Sequence, residues 1–181
     1  TGSEATHFAV VYIGTKKYSF AHEYVLPNYA IIDPSLSYSN PSYIKACSAL
    51  DALSQSIESF WAVGSSEESR NYSRKAIKLI LSSIELAVNK NDIKAMNNMA
   101  IAANFAGKAI NISKTTAAHA LSYPITKYLN IPHGHAVALT LGKFFVINSK
   151  YSLNELNDKR GIEYFEKIIE EINGFFECSD S

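Results

Sequence analysis

Residues 49–61 read ALDALSQSIESFW, an apolar helical stretch that nevertheless carries Asp51, Gln55 and Glu58. Residues four and seven apart share one stripe of a helix, so these three polar groups lie on a common face. A buried carboxylate is costly unless it is paired or coordinates a metal. Two readings of Asp51 follow: a capped or salt-bridged side chain on a half-exposed face, or part of a buried polar site. Upstream, Ser39-Asn40-Pro41 predicts the helix start, with a capping residue and then proline at the first helical position. The helix runs to about Trp61.

Downstream the pattern stays helical. Ser65-Ser66-Glu67-Glu68 predicts a second start, with carboxylates in the positive first turn. Ala76, Leu79, Ile80, Ile84 and Leu86 of that helix point to a core. Asn91-Asp92 opens a third, alanine-rich helix through Ala106-Gly107. Thr115 to Tyr128 reads as a fourth, with Pro124 expected to kink or end it. Ile131-Pro132 opens a fifth, through Phe145, and Asn154 to Glu177 supplies a last amphipathic helix, broken or restarted near Gly161.

Upstream of Asp33-Pro34 the character is strand-like. His7 to Ile13 is β-branched and aromatic, Tyr18 to Tyr24 alternates weakly, and Tyr29 to Ile32 is a short apolar run. Two or three strands cannot hold a core of their own, so they read as the edge of something larger or as a cover for the helices. The expected fold class is mostly α: a helical bundle over residues 34–181, preceded by a few strands in residues 1–33.

The 181 residues suffice for one real core, and 47% hydrophobic with 19% charged residues excludes a disordered chain. Seventeen basic residues balance seventeen acidic ones, which argues against a nucleic-acid partner. No apolar run reaches membrane-spanning length. Cys47 and Cys178 form no framework, and the expected compartment is a reducing cytoplasm.

Three of the five histidines, His119, His133 and His135, fall within one helical section. With Asp51 they offer a carboxylate and imidazoles from separate helices, the composition of a divalent metal site in a bundle. His133 and His135 diverge on a helix, so at most one of them joins the cluster. The segment from Gly107 to Thr116 brings Lys108, Asn111, Ser113 and Lys114 to the next helix start. It reads equally as an anion site and as a solvated loop. Thr1, Gly2 and Ser3, small residues ahead of a strand, are candidates to line a nucleotide groove, although no dinucleotide fingerprint is present.

The segments TGSEAT (1–6), NYAIIDPSL (28–36), ALDALSQSIESFW (49–61) and AAHALSYPITKYLNIPHGHAVAL (117–139) together resemble the iron-containing (group III) alcohol dehydrogenase family. They stand in the family's order. The resemblance implies a dehydroquinate synthase-like architecture: a Rossmann-like half that binds NAD or NADP, and a helical half that holds a divalent metal, Fe2+ or Zn2+. The chain opens at the family's TGSE segment, so the expectation is a fragment lacking most of the nucleotide half and inactive alone. Thr1, Gly2, Ser3 and Lys17 would touch the cofactor.

The family's ligand motif D-A-x-x-H matches at Asp51, and Gln55 stands where the histidine is expected. His119 and His133 match the remaining ligands. Tyr123 replaces a family histidine that serves proton transfer, which makes Tyr123 or His135 the candidate relay. A glutamine oxygen is neutral and a weaker donor than imidazole for late transition metals, so weakened binding and a shift toward oxygen-tolerant ions are expected.

Within the family, AGKAINISKTTAAHALSYP (106–124) resembles phosphonoacetaldehyde reductases. Lys108, Asn111, Ser113 and Lys114 would then hold a phosphonate-bearing aldehyde. A homo-oligomer is also implied. Two alternatives stand beside this reading: a dehydroquinate synthase-like lyase, and a non-catalytic helical metal-binding module.

Overall fold

A computed structural model describes residues 1–14, 16–150 and 158–176. It is mostly helical: α1 (Ser42–Trp61), α2 (Glu67–Asn89), α3 (Ile93–Ser113), α4 (Ala117–Leu129), α5 (His133–Asn148) and α6 (Ile162–Gly174). Strands β1 (Phe8–Ile13) and β2 (Lys16–Ala21) form an antiparallel hairpin, in register from Phe8 opposite Ala21 to Ile13 opposite Lys16.

The helices begin where local chemistry satisfies their free N–H groups. The Ser66 hydroxyl accepts from the Ser69 N–H, and the Ser69 hydroxyl accepts from the Ser66 N–H, closing a capping box at α2. Asp92 Oδ1 accepts from the Ala95 N–H at 2.7 Å and starts α3. At α1, Pro41 occupies the cap itself rather than the first helical position, and its carbonyl accepts from Lys45.

The core lies between α1, α2, α3 and α6. Phe60, Ile77, Ile80 and Ile172 are fully buried there. Phe60 meets Phe175 edge-on at 5.9 Å, and Trp61 meets Phe145 of α5 at 6.2 Å. A polar clasp ties the start of α6 to the α1–α2 loop. Arg160 pairs with Asp158 and donates to the carbonyls of Ser65, at 2.6 Å, and Ala62, at 3.0 Å. Arg70 joins the clasp through Ser65 and Tyr164.

Several boundaries differ from expectation, each for a physical reason. The run Tyr29 to Ile32 forms no strand among the described residues. It has no pairing neighbour there, and Tyr29 and Ile31 are exposed. Helix α3 continues past Gly107 to Ser113. Gly107 is a contact glycine, not a stop: a Cβ there would overlap the Gly2 backbone. The stop is Lys114, at a φ of 67°. Pro124 sits inside α4, which runs on to Leu129. The last expected helix begins after Gly161, at a φ of 88°. Residues 154–157 and 177–178 lie outside the described residues.

Helix α5 packs against both α1 and α4, and His119 of α4 and His133 of α5 come to the polar stripe of α1. The crossing of α5 on α1 is set by Gly134, where a Cβ would overlap the Cys47 carbonyl oxygen and meet Asp51 Cβ at 3.0 Å. This near-contact of backbones places His133, one residue earlier, beside Asp51.

Candidate metal centre

Asp51 of α1, His119 of α4 and His133 at the start of α5 converge. One ligand atom from each lies within 4.8 Å of the others. His119 Nε2 is 3.3 Å and His133 Nε2 is 3.7 Å from Asp51 Oδ1. Asp51 and His119 are buried; His133 is half-buried.

Buried polar atoms normally have partners. Here Asp51 Oδ1 and His119 Nε2 have none with hydrogen-bond geometry. Two orphaned donor atoms aimed at one point, with a second imidazole beside them, fit a divalent cation. They face a cavity of about 560 Å³, walled also by Ser3, Phe8, Val10, Thr115, Tyr123 and Thr126.

The atoms turned away from the cluster are satisfied. His119 Nδ1 pairs with Glu58, which is fully buried. Glu58 Oε1 also accepts from the Thr116 N–H at 2.9 Å and the Thr116 hydroxyl at 2.7 Å. Trp61 Nε1 donates to that same hydroxyl. His133 Nδ1 lies 3.2 Å from the Ser122 hydroxyl. Such outer partners fix the tautomer and direction of a ligating histidine.

The charges follow the same map. Burial opposes ionisation of Asp51, but His119 and then His133 outweigh it and hold the carboxyl below its ordinary range. Glu58 is lowered likewise, with His119 and Thr116 overriding its burial. Burial also opposes a charged His119; Asp51 and Glu58 override it and push the imidazole up to about 9. His133 goes the other way, because burial outweighs the attraction of Asp51.

The remaining sequence candidates divide. Tyr123 stacks on His133 at 5.7 Å and lines the cavity. Lys17 Nζ sits 3.1 Å over the Tyr123 ring. Thr1 and Ser3 also line the cavity, whereas Gly2 is packed away against α3. His135 is directed elsewhere: its Nδ1 lies 2.9 Å from the Tyr43 hydroxyl, off the cavity wall.

Lys108, Asn111, Ser113 and Lys114 do not share one pocket. The first three stand on α3 itself, because that helix runs through the expected loop. Lys108 and Asn111 line a separate cavity of about 400 Å³, with Lys108 beside Tyr72 and Phe105. Ser113 is buried, and its hydroxyl donates to Ser59 Oγ at 2.8 Å. Asn111 Oδ1 accepts from the His7 backbone N–H, and Lys114 Nζ donates to His7 Nε2 at 2.9 Å.

Glu58 and Ser122 are the residues for which sequence reasoning assigned no role. Glu58 had a signal, as the one other acidic residue of α1, on the Asp51 stripe. Ser122 had none.

Residues 45–173 match the model of the Fe-containing alcohol dehydrogenase family, C-terminal. The chain belongs to this family. A phosphonoacetaldehyde reductase of Streptomyces viridochromogenes is 31% identical over 94% of the chain and 44% of its own length. A long-chain-alcohol dehydrogenase 1 of Geobacillus thermodenitrificans is 36% identical over 78% of the chain and 36% of its own length. The sulfoacetaldehyde reductase of Bifidobacterium kashiwanohense, solved with NAD+, superposes with a TM-score of 0.80 at 32% identity, covering 98% of this chain and 50% of that one. The chain thus spans less than half the length of these two curated relatives. Its helices are the C-terminal helical domain of the family fold, and its relatives are oxidoreductases.

Proposed function

We propose that this chain is the metal-binding part of an NAD(P)H-linked aldehyde reductase that converts phosphonoacetaldehyde to 2-hydroxyethylphosphonate. The observation that carries it is the convergence of Asp51, His119 and His133 on one open cavity. A divalent ion, Fe2+ or Zn2+, held by these residues supplies Lewis-acid polarisation of a carbonyl oxygen, and the reduced nicotinamide supplies hydride.

The chain's own residues do the rest. Asp51, His119 and His133 hold the ion, and Gln55 stands beside them. Tyr123 is the relay candidate on the cavity wall, and its phenol oxygen would give a proton to the nascent alkoxide. Thr1, Ser3 and Lys17 are on or beside that wall and would meet the cofactor; residues 1–33 would belong to the nucleotide-binding half. Cys47 is buried and in no disulfide among the described residues, and a reducing cytoplasm is the expected compartment. No helix among the described residues is long and apolar enough to cross a membrane.

The phosphonate preference draws on the Streptomyces relative and on Lys114. That lysine caps α3 next to Thr115 of the cavity wall and is in no ion pair among the described residues. Lysine serves phosphate-like groups as a point charge. The test compares kcat/KM for phosphonoacetaldehyde and acetaldehyde, in a polypeptide that joins this chain to a dinucleotide-binding half. A preference for the phosphonate that falls on Lys114→Ala is expected. Equal values, or no loss in the variant, reject the substrate.

A further inference from the structure

Gln55 stands four residues after Asp51, where the family motif has a histidine. Its Nε2 lies 3.1 Å from Asp51 Oδ2 and 3.2 Å from the Thr1 carbonyl oxygen. A carbonyl and an ionised carboxylate only accept hydrogen bonds, so the end of the amide that faces them must be its NH2. An amide nitrogen has no lone pair to offer a cation. The side chain is buried, and its Oε1 has no partner.

The three clustered residues now share one construction. Each has one atom turned toward the cluster and a second atom held from outside. Asp51 Oδ2 is held by Gln55, His119 Nδ1 by Glu58 and His133 Nδ1 by Ser122. Asp51 Oδ1 and the two Nε2 atoms are left to face one another.

We propose that Gln55 is a positioning residue, not a fourth ligand, and that the centre is a two-histidine, one-carboxylate set. Gln55, Glu58 and Ser122 aim its three donors. With three protein donors, a divalent ion keeps open positions for substrate. This rests on the metal-centre reading above.

The test uses Zn2+ as probe. Anomalous diffraction from Zn2+-soaked crystals should place one ion about 2.0–2.2 Å from Asp51, His119 and His133, with Gln55 Nε2 still on Asp51. By calorimetry, Gln55→Met should keep one-to-one binding and weaken it about 10–100-fold, the usual loss for an outer partner. Gln55→His should tighten binding by supplying a fourth ligand.

Gln55 Oε1 at bonding distance from the ion overturns the proposal. So does a Gln55→Met variant that keeps its helical circular dichroism and binds no stoichiometric Zn2+. Either result leaves the metal centre standing. A wild-type chain that binds no Zn2+ overturns the centre, and this proposal with it.

Discussion

At the scale of single residues, the site is defined by which atoms lack partners and which do not. Glu58 shows the second kind. It is a fully buried carboxylate whose hydrogen bonds all go to Thr116 and His119, so its contribution runs through the direction of one imidazole. Glu58→Gln keeps the volume and an acceptor oxygen but removes the charge. Zn2+ affinity is expected to fall about 10–100-fold at one-to-one stoichiometry. Calorimetry checks this, and unchanged affinity would reduce Glu58 to a structural role. Asp51, His119 and His133 could be picked from sequence because polar residues in apolar helix need a reason to be there. Ser122 could not, because a serine in a helix is unremarkable until its neighbour is known.

At the scale of elements, helix ends and helix crossings bring Asp51, His119 and His133 together. Sequence patterns located α1 and α2 well, because the proline at the start of α1 and the Ser66 capping box of α2 are local chemistry. They misplaced the end of α3, because Gly107 reads as a breaker when its packing partner Gly2 is unseen. Residues 108–113, expected in a loop that reads equally as an anion site and as a solvated connection, are therefore helical. The crossing of α5 on α1 depends on Gly134 in the same non-local way. Gly134→Ala must push α5 off the Cys47 carbonyl, which is backbone and cannot rotate aside. The expected cost is about 1–3 kcal/mol by chemical denaturation. Zn2+ affinity should fall with it, since His133 moves with the helix. An unshifted denaturation midpoint would show that the crossing has slack.

At the scale of the whole molecule, α6 is held to the bundle by Phe165, Ile168 and Ile172 in the core and by the Asp158–Arg160 clasp. Arg160 holds the Asp158 carboxyl below its ordinary range, outweighing the effect of burial. A carboxyl lowered by folding stabilises fully above its unfolded value of about 3.9, and this is lost as pH falls through the depressed folded value. Asp158→Asn should therefore lower Tm near about pH 6, and the gap to wild type should close toward about pH 2.5. A gap that stays constant with pH would mean that the ion pair adds nothing beyond the hydrogen bonds.

The sequence by itself determined that the chain is largely helical after residue 41, and its motifs resemble those of the Fe-containing alcohol dehydrogenase family. The first property rests on apolar periodicity and caps, readable within one or two turns, and the second on the resemblance of a few motifs. Only the tertiary structure decided that His133 and not His135 turns to Asp51, and that Ser113 is locked onto Ser59. Only there, too, does the Gln55 amide present its NH2 to Asp51. The reason is physical: the direction of a side chain depends on neighbours far away in sequence. Those neighbours exist only once α1, α4 and α5 have packed.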